Sequence, residues 1–122
     1  MAAPNIVNVS SIYGKTAAAA LGTTLTTDIL TCAADKLLKI NSIIVANVDT
    51  LNAADVTVYF YDAGSSTTFS IAKSIEVAGG TTLVVLGKDA PIYLEEGDKI
   101  QSGASAASDL EIIISYEELD DA

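Results

Sequence analysis

The chain has 122 residues, a length typical of a single domain, and half of them are hydrophobic. It contains six lysines and sixteen acidic residues but no histidine, arginine or tryptophan, and its formal net charge is −10. The chain therefore lacks the side chains that usually carry out acid–base and phosphoryl-transfer chemistry at neutral pH. Its excess of acidic residues opposes binding to the phosphate backbone of a nucleic acid. We expect no enzyme activity, no cofactor, no metal and no nucleic-acid partner.

The surface is expected to be made largely of small uncharged residues, because only 18% of the chain is charged, against about 25% in an average protein. Such a surface is easily desolvated, which favours a protein that stays in contact with neighbours. Cys32 is the single cysteine, so it can form no intrachain disulfide, and its apolar context predicts an inert core thiol. No signal peptide or membrane-spanning run is present, which predicts synthesis in the cytoplasm and no membrane partner.

The first predicted element is residues 1–12, an N-terminal arm or an edge strand. Asn5–Ser10 alternates polar and apolar residues, so it can pair within its own domain or extend onto a neighbour, with Ile6, Val7 and Val9 as contact residues. The alanine-rich stretch that follows is too short for a stable helix without caps. Residues 15–21 and 25–32 are therefore predicted to be strands.

The central part of the chain has a period of two residues. Residues 39–48 form a long β-branched run, and residues 55–62 place Val56 and Val58 on one face. Tyr59 and Tyr61 fall on the opposite face, where they can anchor an interface, pack on a loop or stack on a sugar. The first two roles are favoured over sugar binding.

Turn signals separate the later strands. Gly79-Gly80 predicts a two-residue β-hairpin, since both positions tolerate a positive φ. Residues 95–98, with three acids around Gly97, predict a solvated hairpin turn rather than a calcium site or a catalytic carboxylate pair. After a final strand at residues 110–116, the acidic residues 117–121 are interpreted as a frayed, solubilising terminus in preference to a docking tail.

These elements amount to eight or nine strands without a convincing helix. The fold class is therefore predicted to be all-β, an antiparallel β-sandwich of jelly-roll-like arrangement. Residues 13–117 form its single domain, between the arm at 1–12 and an acidic tail at 118–122.

Several segments, in this order along the chain, resemble small virion structural proteins of tailed phages that infect marine bacteria, notably cyanophages. They are Asn5–Val9 followed by Gly14–Thr16, then Lys39–Asp49, Ala54–Val58, Pro91–Asp98 and Ser108–Glu117. The resemblance covers most of the chain, and it implies a non-enzymatic particle component, with a capsid decoration (cement) protein as the favoured role.

That role implies the major capsid protein as a partner. The low charge fraction and the extended arm Asn5–Ser10 predict that copies of the chain also associate, as a trimer. The net charge agrees with a place on the capsid exterior, because packaged DNA would repel an acidic protein from the lumen. Two alternatives stay open. One is a receptor- or glycan-binding module of a tail or fibre that uses Tyr59 and Tyr61, and the other is a head–tail or tail-tube component.

Overall fold

A computed structural model describes residues 9–121 of the chain and the side chains of residues 10–120. This part contains nine β-strands and no helix, so it has no helix able to cross a membrane. In chain order the strands are β1 (Val9–Ala20), β2 (Asp28–Thr31), β3 (Lys36–Asn47), β4 (Ala54–Asp62), β5 (Thr67–Val77), β6 (Thr82–Leu86), β7 (Ile92–Leu94), β8 (Lys99–Ala104) and β9 (Leu110–Asp121).

The strands form two antiparallel sheets. Sheet A has the order β1-β9-β3-β6, and β7 pairs with β3 on the same side as β6. Sheet B has the order β2-β8-β4-β5. The predicted all-β antiparallel sandwich is therefore confirmed.

The strand order is that of a jelly roll. Strands β4 and β5 pair as a hairpin, and the flanking strands pair outward from it in turn: β3 with β6 and β7, β2 with β8, and β1 with β9. A long hairpin that is rolled up around its own turn produces this nested pairing, with strands of each arm shared between the two sheets. The jelly-roll arrangement expected from the sequence is thus present.

The core lies between the two sheets and follows the period-two pattern. Inward side chains of central strands β9, β3 and β4 are completely buried, whereas alternate residues point outward. The fully buried large side chains are Leu21, Ile40, Ile43, Val45, Val56, Val58, Val77, Leu94, Ile100, Leu110, Ile112 and Ile114. The same alternation therefore defines an outer face on each sheet.

The Gly79-Gly80 turn does not close a hairpin. It connects β5 of sheet B to β6 of sheet A, so the prediction of a two-residue hairpin is wrong. The glycines are needed nonetheless: Gly80 has a φ of +70°, and a Cβ added to Gly79 would lie 3.0 Å from the carbonyl oxygen of Asp49. The glycines specify the turn, but they do not specify which sheet receives the next strand.

The acidic turn at residues 95–98 is also a crossing between sheets, and Asp98 is not solvated. Asp98 is only 3% exposed. Oδ1 accepts a hydrogen bond of 3.0 Å from the backbone N–H of Ala63, and Oδ2 accepts one of 2.9 Å from that of Glu95. The tight turn was predicted correctly, but the solvated hairpin was not, because Asp98 connects this turn to the β4–β5 turn.

The acidic C-terminal residues belong to a paired strand. β9 continues to Asp121 between β1 and β3, so the interpretation of residues 117–121 as a frayed terminus is wrong. The Lys36 ammonium forms an ion pair with Asp120, and Lys15 Nζ lies 3.1 Å from Glu118 Oε2. Lysines of the two neighbouring strands thus form ion pairs with acids that the sequence alone presents as a solvated acidic tail.

We expect the contribution of Asp120 to stability to depend on pH. The hydrogen bond from Lys36 holds the pKa of Asp120 below its ordinary value of 3.8. A carboxyl group whose pKa is lower in the folded state stabilises the fold above its unfolded pKa, and this contribution is lost as the pH falls through the folded value. In urea titrations, Asp120→Asn should therefore be less stable than the wild type at pH 7, and the difference should shrink below about pH 3.8.

The matched control is Asp89→Asn, an exposed residue in the connection between β6 and β7, which should change the free energy of unfolding little at any pH. If the free energy of unfolding of Asp120→Asn were lower than that of the wild type by the same amount from pH 7 to pH 2, the ionised Asp120 carboxylate would not be what stabilises β9.

Candidate functional site

The outer face of sheet B carries the two tyrosines singled out in the sequence. Tyr59 lies opposite Gln101, and Tyr61 lies opposite Lys99, while Asp28 of β2 lies on the other side of Gln101. Paired residues point to the same side of a sheet, so these five residues share one surface. We call them the tyrosine face.

The polar groups of the tyrosine face satisfy one another. Asp28 Oδ2 lies 3.0 Å from Lys99 Nζ, and Asp28 Oδ1 accepts a 2.8 Å hydrogen bond from Gln101 Nε2. These two donors, Gln101 first and Lys99 second, lower the pKa of Asp28. Lys99 Nζ also lies 5.4 Å from the centre of the Tyr61 ring, a cation–π distance. Asp28, Lys99 and Gln101 therefore hold one another in fixed positions beside the tyrosines.

A loop closes one end of this face. Residues 22–27 were predicted to belong in part to a strand at 25–32, but β2 begins only at Asp28 and the preceding residues form a loop over β8. A Cβ added to Gly103 would lie 2.5 Å from the carbonyl oxygen of Thr24, so glycine permits the crossing. The Ser102 N–H also donates to the Thr27 carbonyl. Tyr59 and Tyr61 lie beyond this loop and are half-buried.

The outer face of sheet A carries a different surface. Ala18, Ile113, Ile44 and Val84 are paired in succession across β1, β9, β3 and β6, so their outward side chains form one apolar row. Val84 is 61% exposed and Ile113 is 39% exposed. A row of exposed aliphatic side chains across a whole sheet is suited to contact with another protein. We call these four residues the apolar row.

The rows on either side of the apolar row are small or polar. One consists of Ala20, Glu111, Ala46 and Thr82, and the other contains Thr16, Ser115 and Ser42. A shallow depression lined by residues 18–20 and 111–113 lies at the β1 side. Because Glu111 is the only charged residue in these rows, little charge must be desolvated when the face is covered.

The apolar row was not among the predicted sites, although one signal was visible. Ile113 lies between Glu111 and Ser115 on the polar side of its strand. Ile44 and Val84 stand inside runs that are apolar on both faces, so the sequence alone gives no reason to place either of them outside. The row becomes apparent only when the strand order is known.

The predicted interface residues do not form a single site. Ile6 and Val7 lie outside the described residues. Val9 is the first residue of β1, opposite Asp121 in sheet A, whereas Tyr59 and Tyr61 lie together on the outer face of sheet B. Any partner that uses both sets must therefore contact two different faces of the sandwich.

Within residues 9–121, the acidic side chains form no metal-binding cluster and the cysteine is not a reactive thiolate. No three His, Cys, Asp or Glu side chains in this range are grouped so as to hold a metal ion. Cys32 is buried, and burial raises the pKa of its thiol to about 11. The Sγ lies 3.2 Å from the Lys36 carbonyl oxygen, to which the thiol donates. The cysteine therefore stays protonated at neutral pH, as expected of a core thiol.

The two outer faces offer non-covalent contact, with aromatic and polar groups on sheet B and aliphatic groups on sheet A. Comparison with known proteins gives no family to which the chain can be assigned: no protein-family model matches it, and no curated protein has a matching sequence.

Proposed function

We propose that the chain is a non-enzymatic structural component of a virus particle, a decoration (cement) protein on the outer surface of the capsid. The observation that carries the proposal is the apolar row, an exposed aliphatic band across a sheet whose neighbouring rows bear one charge. Jelly rolls are common among viral capsid domains, which is support by analogy of fold. The resemblance to small virion proteins of marine tailed phages adds to this support.

The attachment would use the outer face of sheet A. Covering Ile113 and Val84 removes aliphatic surface from water at about 25 cal/mol per Å². The arm residues Ile6, Val7 and Val9, predicted from the sequence as contact residues, would add to the attachment. The partners would be the major capsid protein and further copies of the chain, with a trimer as the form expected from composition. The net charge of −10 favours the exterior of a DNA-filled shell.

The test is re-binding of the purified protein to particles that lack it. Ile113→Lys places a charge in the apolar row and should lower occupancy, measured by gel densitometry, at least about tenfold. Leu51→Lys is the matched control, because Leu51 is 89% exposed in the connection between β3 and β4, away from the row. It should bind like the wild type. Equal occupancy of the two variants would overturn attachment through the row.

Copy number on intact particles tests the position. Hundreds of copies per particle would agree with shell decoration, whereas six or twelve would place the chain on the tail axis, as a head–tail or tail-tube component.

The tyrosine face favours a second candidate, a receptor- or glycan-binding module. Tyr59 and Tyr61 lie on the same face as Asp28, Lys99 and Gln101. In such an arrangement the rings can stack on a sugar while the polar groups accept and donate hydrogen bonds. A glycan array separates the two candidates. Binding that is lost in the Tyr59→Ala, Tyr61→Ala double variant would favour the glycan-binding module, and absence of binding would favour decoration.

A further inference from the structure

We propose that the outer edge of β1 from Ile12 to Ala20 pairs, antiparallel and about a twofold axis, with the same segment of a second copy of the chain. Such pairing would join the two five-stranded copies of sheet A into one ten-stranded sheet. The proposal does not rest on the decoration role. It also differs from the trimer expected from composition, because an antiparallel strand pair is a twofold contact.

Among the described residues β1 is the edge strand that is not protected against pairing. Its 12 residues contain no proline, and its one bulge lies between Val9 and Ser11. The other edges are interrupted: β2 has four residues, and the register of β5 shifts twice along β4. The opposite edge of sheet A is split into β6 and β7 by a connection that contains Pro91. Short, bulged or proline-containing edges resist pairing with another chain, whereas a long regular edge invites it.

The two halves of β1 are complementary in size. Near its start, Ile12 is 57% exposed and Tyr13 is 50% exposed. Its end is a run of four alanines, Ala17–Ala20. An antiparallel pair about a twofold axis places the start of each strand against the end of the other. The large side chains of one copy would then cover the alanines of its partner. This contact would account for the alanine run at the end of β1.

Size complementarity and the parity of a β-strand together select the register. Ile12, Thr16 and Ala20 are spaced four residues apart and so point to one side of sheet A. That side is the outer face, since Ala20 lies opposite Glu111 and Ile12 is itself 57% exposed. A pairing with Thr16 opposite its own copy puts Ile12 opposite Ala20 and Tyr13 opposite Ala19. A shift of one residue would set outward side chains against inward ones and is excluded. The two apolar rows then lie on the same side of the joined sheet.

The distribution of charge also favours pairing between copies at the edge of β1. The chain carries a net charge of −10, so two copies repel each other over most of their surface, yet β1 contains no acidic residue. Its one charged side chain, Lys15, is held by Glu118 at 3.1 Å within the same copy and would lie opposite Ala17 of the partner. Nine paired residues exchange about eight to ten backbone hydrogen bonds, comparable to the number in an ordinary specific interface.

Sedimentation over a dilution series tests the pairing. The wild type should have twice the mass of the chain. Ala20→Glu should raise the dissociation constant about a hundredfold, since a buried charge costs about tenfold at each of two symmetry-related sites. Thr82→Glu is the matched control, because Thr82 lies in the same cross-strand row as Ala20 but at the opposite edge. It should stay dimeric. A monomeric or trimeric wild type, or equal dimerisation of both variants, would overturn the proposal.

A cross-link tests the contact itself, even if a charged variant fails to fold. Residues directly opposite in an antiparallel pair have Cα atoms about 4.5 to 5.5 Å apart, which a disulfide can span. Oxidised Thr16→Cys should therefore give a covalent dimer, and Thr82→Cys should not. Free thiols are blocked before denaturation so that buried Cys32 cannot react. No dimer from Thr16→Cys would count against the pairing. Because this readout needs no particles, its failure is distinguishable from failure of the decoration role.

Discussion

Ile114→Ala is expected to lower the free energy of unfolding by about 2–5 kcal/mol, the range for removing several carbons from a completely buried aliphatic side chain. Ile114 is fully buried and lies in β9 between Ala17 of β1 and Ile43 of β3. β9 and β3 each pair on both sides, so this part of sheet A cannot collapse readily onto a cavity. Chemical denaturation monitored by circular dichroism gives the measurement.

Ile113→Ala is the matched control, because Ile113 is the next residue in the same strand and is 39% exposed on the outer face. It should cost less than about 1 kcal/mol of stability. Equal losses in the two variants would mean that the inner and outer faces of β9 are assigned wrongly. The pair also separates stability from contact, since we expect Ile113 to matter for attachment.

Asp98→Ala is expected to destabilise the protein by about 1–3 kcal/mol, because it leaves two backbone N–H groups without their acceptor. The carboxylate accepts from Ala63 at 3.0 Å and from Glu95 at 2.9 Å, so it connects the β4–β5 turn to the β7–β8 crossing. Urea titration at pH 7 measures the loss. Asp98→Asn has one carbonyl oxygen and should recover at most part of it.

Glu95→Ala provides the control for Asp98, since Glu95 is an exposed acid of the same turn. Its removal should change the free energy of unfolding by no more than about 0.5 kcal/mol. If the two alanine variants had the same stability, the acidic turn would be a plain charged surface loop, as the sequence pattern alone indicates.

Local patterns predicted the strands well, because alternation along a strand reflects which side faces the core. The run at residues 55–62 corresponds to β4, and the alternation of Val56 and Val58 with Tyr59 and Tyr61 gave both faces correctly. Residues 25–27 were assigned to a strand, yet they form a loop. The loop can cross β8 because Gly103, which lies far along the chain, has no side chain at that point.

Pairing between distant strands could not be predicted, and it determines the candidate sites. Gly79-Gly80 marks a turn equally well within one sheet or between two. The tyrosines were predicted to share a face, but Asp28, Lys99 and Gln101 join them only because β2, β8 and β4 are neighbours. The apolar row likewise draws one residue from each of four strands. Sites of this kind depend on topology more than on motif.

The nested strand order has a consequence for biosynthesis. β1 is among the first described residues made, but its partner is β9, and even their closest paired residues, Ala20 and Glu111, are about 90 positions apart. Sheets built from such distant pairs fold slowly, over milliseconds to seconds. At ribosomal rates β1 therefore waits several seconds with both edges unpaired. No acidic residue precedes Asp28 in this sequence, so the charge that would oppose pairing between growing chains accumulates only after β1 has been made.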